Sequence, residues 1–300
     1  MISNLFALLM LTSAQADAAP VRDHAPAISP DAQTIAYYSY RDGLPDIYLF
    51  DRRTGDIRQL TDTPDLLEIE PFWSPDGAHL VFPAGISMGR LTFRLADLAT
   101  GTIHAVSFGL RVTGPASLSA DGQAFYFFER HIDGDRLWRA DMDGIGHLVS
   151  DQLPEGRNSI PQATPDGRSL VFLNTAPNAD AGDIYALDLT TRHVRQISDT
   201  PWDEGYLGIA PDSLRVTFSA EIEGETRNLF SLPLNGEGLA SERPTPFLSF
   251  EGNTRFFSSV GMDGTIAYDE VADEGGARIW ILEPDAPRPQ MLPLESHAPY

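Results

Sequence analysis

The sequence contains no cysteine. If the chain is exported, no disulfide can hold it, and stability has to come from packing and strand pairing. No thiol stands near the N-terminus to carry a bacterial lipid anchor. Basic residues are scarce: 21 Lys and Arg face 43 Asp and Glu, for a formal net charge of -22. Such a field repels phosphate backbones and excludes nucleic acid as a natural partner, while it remains compatible with cations or basic protein patches. Past residue 19 no stretch approaches the roughly 18 consecutive apolar residues of a spanning helix, so no membrane span is expected. Helical spacing of apolar residues is absent from every 12-residue window beyond the N-terminal segment, which predicts very little helix.

What is present begins with an address. An apolar run from Leu5 to Leu11 leads into the small-residue exit Ala14, Gln15, Ala16. This is the layout of a secretory signal peptide over residues 1–19, cleaved after Ala16 or Ala19, although no Lys or Arg precedes the run. The expected compartment is the periplasm or the exterior. Residues 20–300 are then one mature domain.

An internal repeat organises that domain. The segments ISPDAQTIAYYS at 28–39, WSPDGAHLVFPA at 73–84, LSADGQAFYFFE at 118–129, ATPDGRSLVFLN at 163–174 and IAPDSLRVTFSA at 209–220 align, with a looser VGMDGTIAYDEV at 260–271. Their shared aspartates, Asp31, Asp76, Asp121, Asp166, Asp212 and Asp263, fall 45, 45, 45, 46 and 51 residues apart. Each unit adds a strand-like piece, such as DIYLFD at 46–51 or DIYALD at 183–188, and then a short last strand, such as DIRQLT at 56–61. The pattern is strand, turn, strand, loop, strand, turn, strand. It predicts an all-β, six-bladed β-propeller with four-stranded antiparallel blades.

Local chemistry supports the reading. Proline sets φ at the first corner of each S-P-D-G turn, Asp accepts a backbone N–H, and Gly takes the conformation that leaves the turn. Ala32 and Ser213 stand at the Gly position of two turns, which forces them into allowed non-Gly space or into strain. The strands do not alternate apolar with polar residues, as expected when both faces of a blade are covered by neighbours. The first unit starts with its own innermost strand and the sixth supplies its own outermost strand near Gln290. The ring should therefore close by packing of blade one on blade six, with Ser296–Tyr300 available to cover the seam.

These S-P-D-G, I-A/V-F and D-I-Y pieces resemble the WD40-like (PD40) repeats of the TolB propeller family, shared with the propellers of prolyl oligopeptidase-like enzymes. The likeness spans residues 24–295. It implies a rigid ring in the cell envelope. TolB-type proteins also carry a smaller α/β domain ahead of the ring, for which the chain has no room between its signal and Ile28.

Motifs that suggest catalysis fail on context. Gly85-Ile86-Ser87-Met88-Gly89 spells a nucleophile elbow, but a strand follows where that motif needs a helix. The seven histidines form no short metal signature. Asp141, Asp143 and Gly144 resemble part of a calcium loop, yet no Glu completes it, so a tight turn is the simpler reading. Acidic residues do gather on the approaches to the inner strands: Glu68 and Glu70 before blade two, Asp203 and Glu204 before blade five, Glu251 before blade six. Of these, Glu68, Glu204 and Glu251 are the candidate ligands of a channel mouth that would take calcium. No other cofactor is implied.

Residues common to all blades build blades, whereas dissimilar loops on one rim are free to recognise something. That rim collects Tyr40, Arg41, Asp42, Glu129, Arg130, His131, Arg157, Asn158, Trp202, Tyr206, Glu221 and Glu223. Aromatics and arginines suit a protein contact. The expected function is a non-enzymatic module that binds a protein or peptide partner of the envelope, with Tyr40, Arg41, Glu129, Arg130, Arg157, Trp202 and Tyr206 as anchors. The alternative is a calcium-assisted hydrolase or lyase acting on a sugar or lactone at the channel mouth.

Overall fold

The structure, a computed structural model, describes residues 22–87, 91–106, 115–222, 226–235, 243–248, 254–272 and 276–294. The N-terminal segment and the tail proposed to cover the seam, together with Glu223 and Glu251, lie outside the described residues. No helix occurs among the described residues. The chain forms six antiparallel sheets, and in each the strands pair in sequence order. Blade one is typical: Asp23–Ile28, Thr34–Ser39, Asp46–Asp51 and Ile57–Gln59. In blade two the inner strand is broken into Leu67–Glu68 and Phe72–Trp73, both paired with His79–Gly85.

The apolar runs of the second strands are explained by where alternate residues go. Phe125 and Phe127 join Val81 and Phe93 of blade two, while Tyr126 and Phe128 join Leu170 and Phe172 of blade four. Ala36 faces Leu80 and Phe82 of blade two, whereas Ile35 and Tyr37 face Ala267 and Ile279 of blade six. Period-2 geometry thus sends neighbouring residues to opposite junctions, and both junctions are apolar. Six apolar clusters mark the six blade junctions. Burying one such side chain contributes about 1.5–3 kcal/mol.

The repeated turns are locked by hydroxyls as well as by the ladder aspartates. Ser74 Oγ donates to Asp76 Oδ1 at 2.5 Å and accepts the His79 N–H at 2.9 Å, while Asp76 also accepts the Ala78 N–H at 2.9 Å. Ser29 with Asp31 and Thr164 with Asp166 repeat the arrangement, each with a 2.6 Å hydroxyl contact. Ala32 and Ser213 take the left-handed region at φ 58° and 59°, like the glycines they replace, and so carry the strain that the sequence allowed for. Gly122 is needed for a second reason: a Cβ there would stand 3.3 Å from Pro75 Cδ of the preceding blade.

Among the described residues blade six is completed by its own four strands, and a single parallel bridge joins Arg22 to Ala277 of its third strand. Blade six ends on its own outer strand Gln290–Met291, and Leu292 and Leu294 pack with Ile28, Tyr48 and Phe50 of blade one. Polar contacts add to this seam: Ile28 N–H donates to Ser259 Oγ at 3.0 Å. The Arg52 guanidinium reaches Glu283 at 2.8 Å, Thr265 Oγ1 at 2.8 Å and Asp263 at 3.0 Å.

Candidate functional site in the central channel and on the loop rim

The inner strands of all six blades enclose a channel of about 460 Å³. Its lining runs from a ring six residues before each ladder aspartate (Ala25, Glu70, Pro115, Ile160, Tyr206, Phe257) to the turn residues Pro30, Pro75, Pro165, Pro211 and Met262. At this ring the inner strands bulge. The register shifts between His24 and Ala27, between Ser159 and Gln162, between Gly205 and Gly208, and between Arg255 and Ser258. Ala25, Glu70, Ile160 and Tyr206 sit at positive φ, from 47° to 53°. The bulge re-aims one side chain per blade toward the axis.

Two residues before each of these lies a second ring: Asp23, Glu68, Asn158, Glu204 and Arg255 are all buried, and none lines the channel. They pin adjacent elements, within a blade or between neighbouring blades. Asp23 pairs with Arg41 at 3.0 Å. Glu68 accepts from Arg94 and from Thr63 Oγ1, each at 3.2 Å. Glu204 accepts from Ser198 Oγ at 2.5 Å and from Thr200 Oγ1 at 2.8 Å. Burial pushes the Glu68 carboxyl above its ordinary range and the Glu204 carboxyl up to about 7, although hydroxyl donors partly oppose both shifts. Of the three expected calcium ligands, Glu251 lies outside the described residues and Glu68 keeps its Oε2 buried without a hydrogen-bond partner. The cation beside Glu68 is already a guanidinium, and both Glu204 oxygens are engaged. Among the described residues no three His, Asp or Glu side chains are grouped to hold a metal.

Glu70 is the acid that reaches the channel. It is the one charged residue among the described lining residues, and no hydrogen bond or ion pair to it is present among them. Burial and the nearby Asp269 push its carboxyl upward. Asp269 is itself fully engaged: Oδ2 lies 3.2 Å from His24 Nδ1, and Oδ1 accepts the Phe257 N–H at 2.9 Å. His24 stacks on Tyr38, with centroids 5.3 Å apart, and Tyr206 meets Phe257 edge-on at 4.6 Å. Burial also raises the Tyr38 and Tyr206 phenols, and the negative charge of Glu70 adds to both shifts.

The proposed rim anchors divide into two kinds. Arg41 is held inside blade one by Asp23, by Tyr37 Oη at 3.1 Å and by the Tyr48 ring at 4.5 Å. Trp202 lies half-buried on the blade four–five cluster, 4.9 Å from Phe230. Glu129 accepts the Trp138 Nε1–H at 2.9 Å. Tyr206 belongs to the channel. Tyr40, Arg130 and Arg157 are exposed, and Arg130 is loosely paired with Asp135 at 3.3 Å. The sequence reading missed exposed Leu44 and Ile132, and it treated Ile86 only as part of a false elbow.

The geometry defines a six-bladed, four-stranded propeller with a narrow apolar channel and one plain, one variable rim. The chain belongs to the TolB beta propeller domain family, which matches residues 23–245. It resembles TolB from Acinetobacter baumannii with a TM-score of 0.66 and 17% identity, over 93% of this chain and 65% of that one. It resembles the oligogalacturonate lyase of Vibrio parahaemolyticus with a TM-score of 0.60 and 16% identity, over 91% and 78%. The propeller domain of the trilobed protease of Pyrococcus furiosus, described as having an open velcro topology, matches with a TM-score of 0.59 and 13% identity over 91% and 98%. At such identities these likenesses carry the fold alone. A stretch of 66 residues is 35% identical to the uncharacterized peptidase YuxL of Bacillus subtilis, covering 22% of this chain and 10% of that protein. The chain thus spans less than two thirds of both TolB and that peptidase.

Proposed function

We propose that the protein is an exported, non-enzymatic propeller that binds a protein or peptide partner of the cell envelope through its variable loop rim. The observation that carries this reading is a row of uncovered apolar side chains. The loops after the second strands of blades one, two and three present Leu44, Ile86 and Ile132, which are 43%, 64% and 94% exposed. All three loops open on the same rim, beside Tyr40 and Arg130. Water-exposed aliphatics on three successive blades suit the apolar centre of a contact, and the arginines and aromatics around them suit its edge. A two-carboxyl glycoside hydrolysis lacks support on the channel side, because only Glu70 is available among the described lining residues.

Capture from an envelope extract tests the reading. The wild-type chain should retain a partner that the triple variant Leu44→Asp, Ile86→Asp, Ile132→Asp loses, with the far-ultraviolet dichroism of the two proteins unchanged. Equal capture by both would refute the rim. Export is tested separately, by N-terminal sequencing of the protein recovered outside the cytoplasm; the expected first residue is Asp17 or Pro20.

A further inference from the structure

We propose that the central channel binds a small organic cation, a primary ammonium or guanidinium carried on an apolar stem, with the Glu70 carboxylate as its counter-charge. The repeat supplies an internal control. Five blades place Ala25, Pro115, Ile160, Tyr206 and Phe257 at the position that Glu70 occupies in blade two, so nothing in blade construction requires a carboxylate there. The bulge is equally indifferent, since Ala25 and Ile160 adopt the same backbone at φ 49°.

Glu70 is part-buried on the channel wall, and no protein group among the described residues neutralises its charge there. A carboxylate in an apolar enclosure needs hydrogen bonds or an opposite charge. The buried acids of the neighbouring ring have them: Glu68 has Arg94, Glu204 has two hydroxyls and Asp23 has Arg41. Glu70 has neither among the described residues, while Asp269 nearby adds a second negative charge that is already spoken for by His24 and backbone N–H groups. The local field therefore favours an incoming cation.

The remaining walls select its kind. A hydrated metal ion needs several oxygen ligands, which one carboxylate and a tyrosine hydroxyl do not supply. Tyr206 and Phe257 offer ring faces and edges close to the carboxyl, and Trp73, Phe72 and Ile209 line the channel beyond. Aromatic walls around one carboxylate suit a cation with an apolar body. The volume, about 460 Å³, is in the range of small-molecule sites.

The experiment is calorimetric titration at pH 7.5 with 2-phenylethylamine, its neutral counterpart 2-phenylethanol, and calcium chloride alone. The wild-type protein should bind the amine at least about tenfold more tightly than the alcohol, the margin expected of one charge-assisted contact. Glu70→Gln, and Glu70→Ala, which installs the residue of blade one, should bring the ratio close to one. Capture of the rim partner should be unchanged in both variants, which separates failure here from failure of the rim reading. Equal affinity of wild type for amine and alcohol, no amine binding at millimolar concentration, or a preference that survives in both variants would overturn the proposal. So would calcium binding that depends on Glu70 without any preference for the amine.

Discussion

Replacing Glu204 with glutamine should change how stability depends on pH. In the native ring the carboxyl is buried, and its pKa is pushed up from 4.5 to about 7, first by burial and in spite of the Ser198 and Thr200 hydroxyls. The folded state thus holds this proton more tightly than the unfolded state. The resulting stabilisation is fully present below pH 4.5 and is lost as pH rises through 7. At about 1.4 kcal/mol per pH unit, the interval corresponds to a loss of about 3 kcal/mol between pH 4.5 and pH 8.

Glutamine cannot ionise, so this loss should vanish. It also cannot accept from both hydroxyls with oxygen. Ser198 Oγ already accepts the Ile184 N–H at 2.7 Å, so turning it to accept from an amide leaves its own proton without an acceptor. That misfit costs about 1 kcal/mol at every pH. The variant should therefore be about 1 kcal/mol less stable than wild type near pH 4.5 and about 2 kcal/mol more stable near pH 8, with the curves crossing between. Urea unfolding at half-unit pH steps measures this. The difference curve is the right readout, because Asp46, Glu68, Glu70 and Asp183 are shifted upward too, whereas Asp31, Asp76, Asp121 and Asp263 are shifted downward and act at lower pH. A pH-independent difference from pH 4.5 to pH 8 would show that Glu204 is not the titrating group.

Two further substitutions probe the scaffold. Arg52→Ala removes the guanidinium that ties blade one to Glu283 and Asp263; with Arg52 itself 13% exposed but both acids about 43% exposed, the loss should be about 1.5–3 kcal/mol. Arg168→Ala, at a side chain 72% exposed, should cost under about 0.5 kcal/mol in the same urea titration, and equal effects would remove the seam's special role. Asp76→Ala deletes the acceptor for Ser74 Oγ and the Ala78 N–H and should lower stability by about 0.5–2 kcal/mol without altering capture of the rim partner. Unaltered stability with weakened capture would make Asp76 a binding residue.

The fold was legible because it is written six times. A turn that needs Pro, Asp and Gly in order, followed by a run such as Leu80-Val81-Phe82, leaves few alternatives when it recurs at 45-residue intervals. The order of strands within the first and last blades was legible too, since the first unit opens on an inner strand and the last ends on an outer one. The site was less so. Which of Glu68 and Glu70 reaches the channel depends on the bulge at Glu70, where a left-handed residue breaks the period-2 alternation that sequence reasoning extrapolates. Arg41 and Trp202 have the composition of a contact surface, yet aromatic partners and a buried aspartate absorb both. Side-chain type alone does not separate an anchor from a rivet.

The repeat nevertheless contains a signal for such positions, once the ladder is used as a coordinate. Counting back from each ladder aspartate, the eighth residue is Asp, Glu, Asn, Glu or Arg in five blades, and all five are buried. A polar residue recurring in phase has a constructional cause, here the pinning of adjacent elements. The sixth residue back is apolar or aromatic in five blades and glutamate in one. A part-buried channel charge that occurs once, at a position the other blades fill with hydrocarbon or a ring, has no such cause. It costs stability in every state of the protein in which it stays ionised and unpaired. Glu70→Gln should therefore raise the unfolding temperature of the free protein, and a bound cation should raise that of wild type but not of the variant, which ties the one out-of-phase residue to a ligand rather than to the ring.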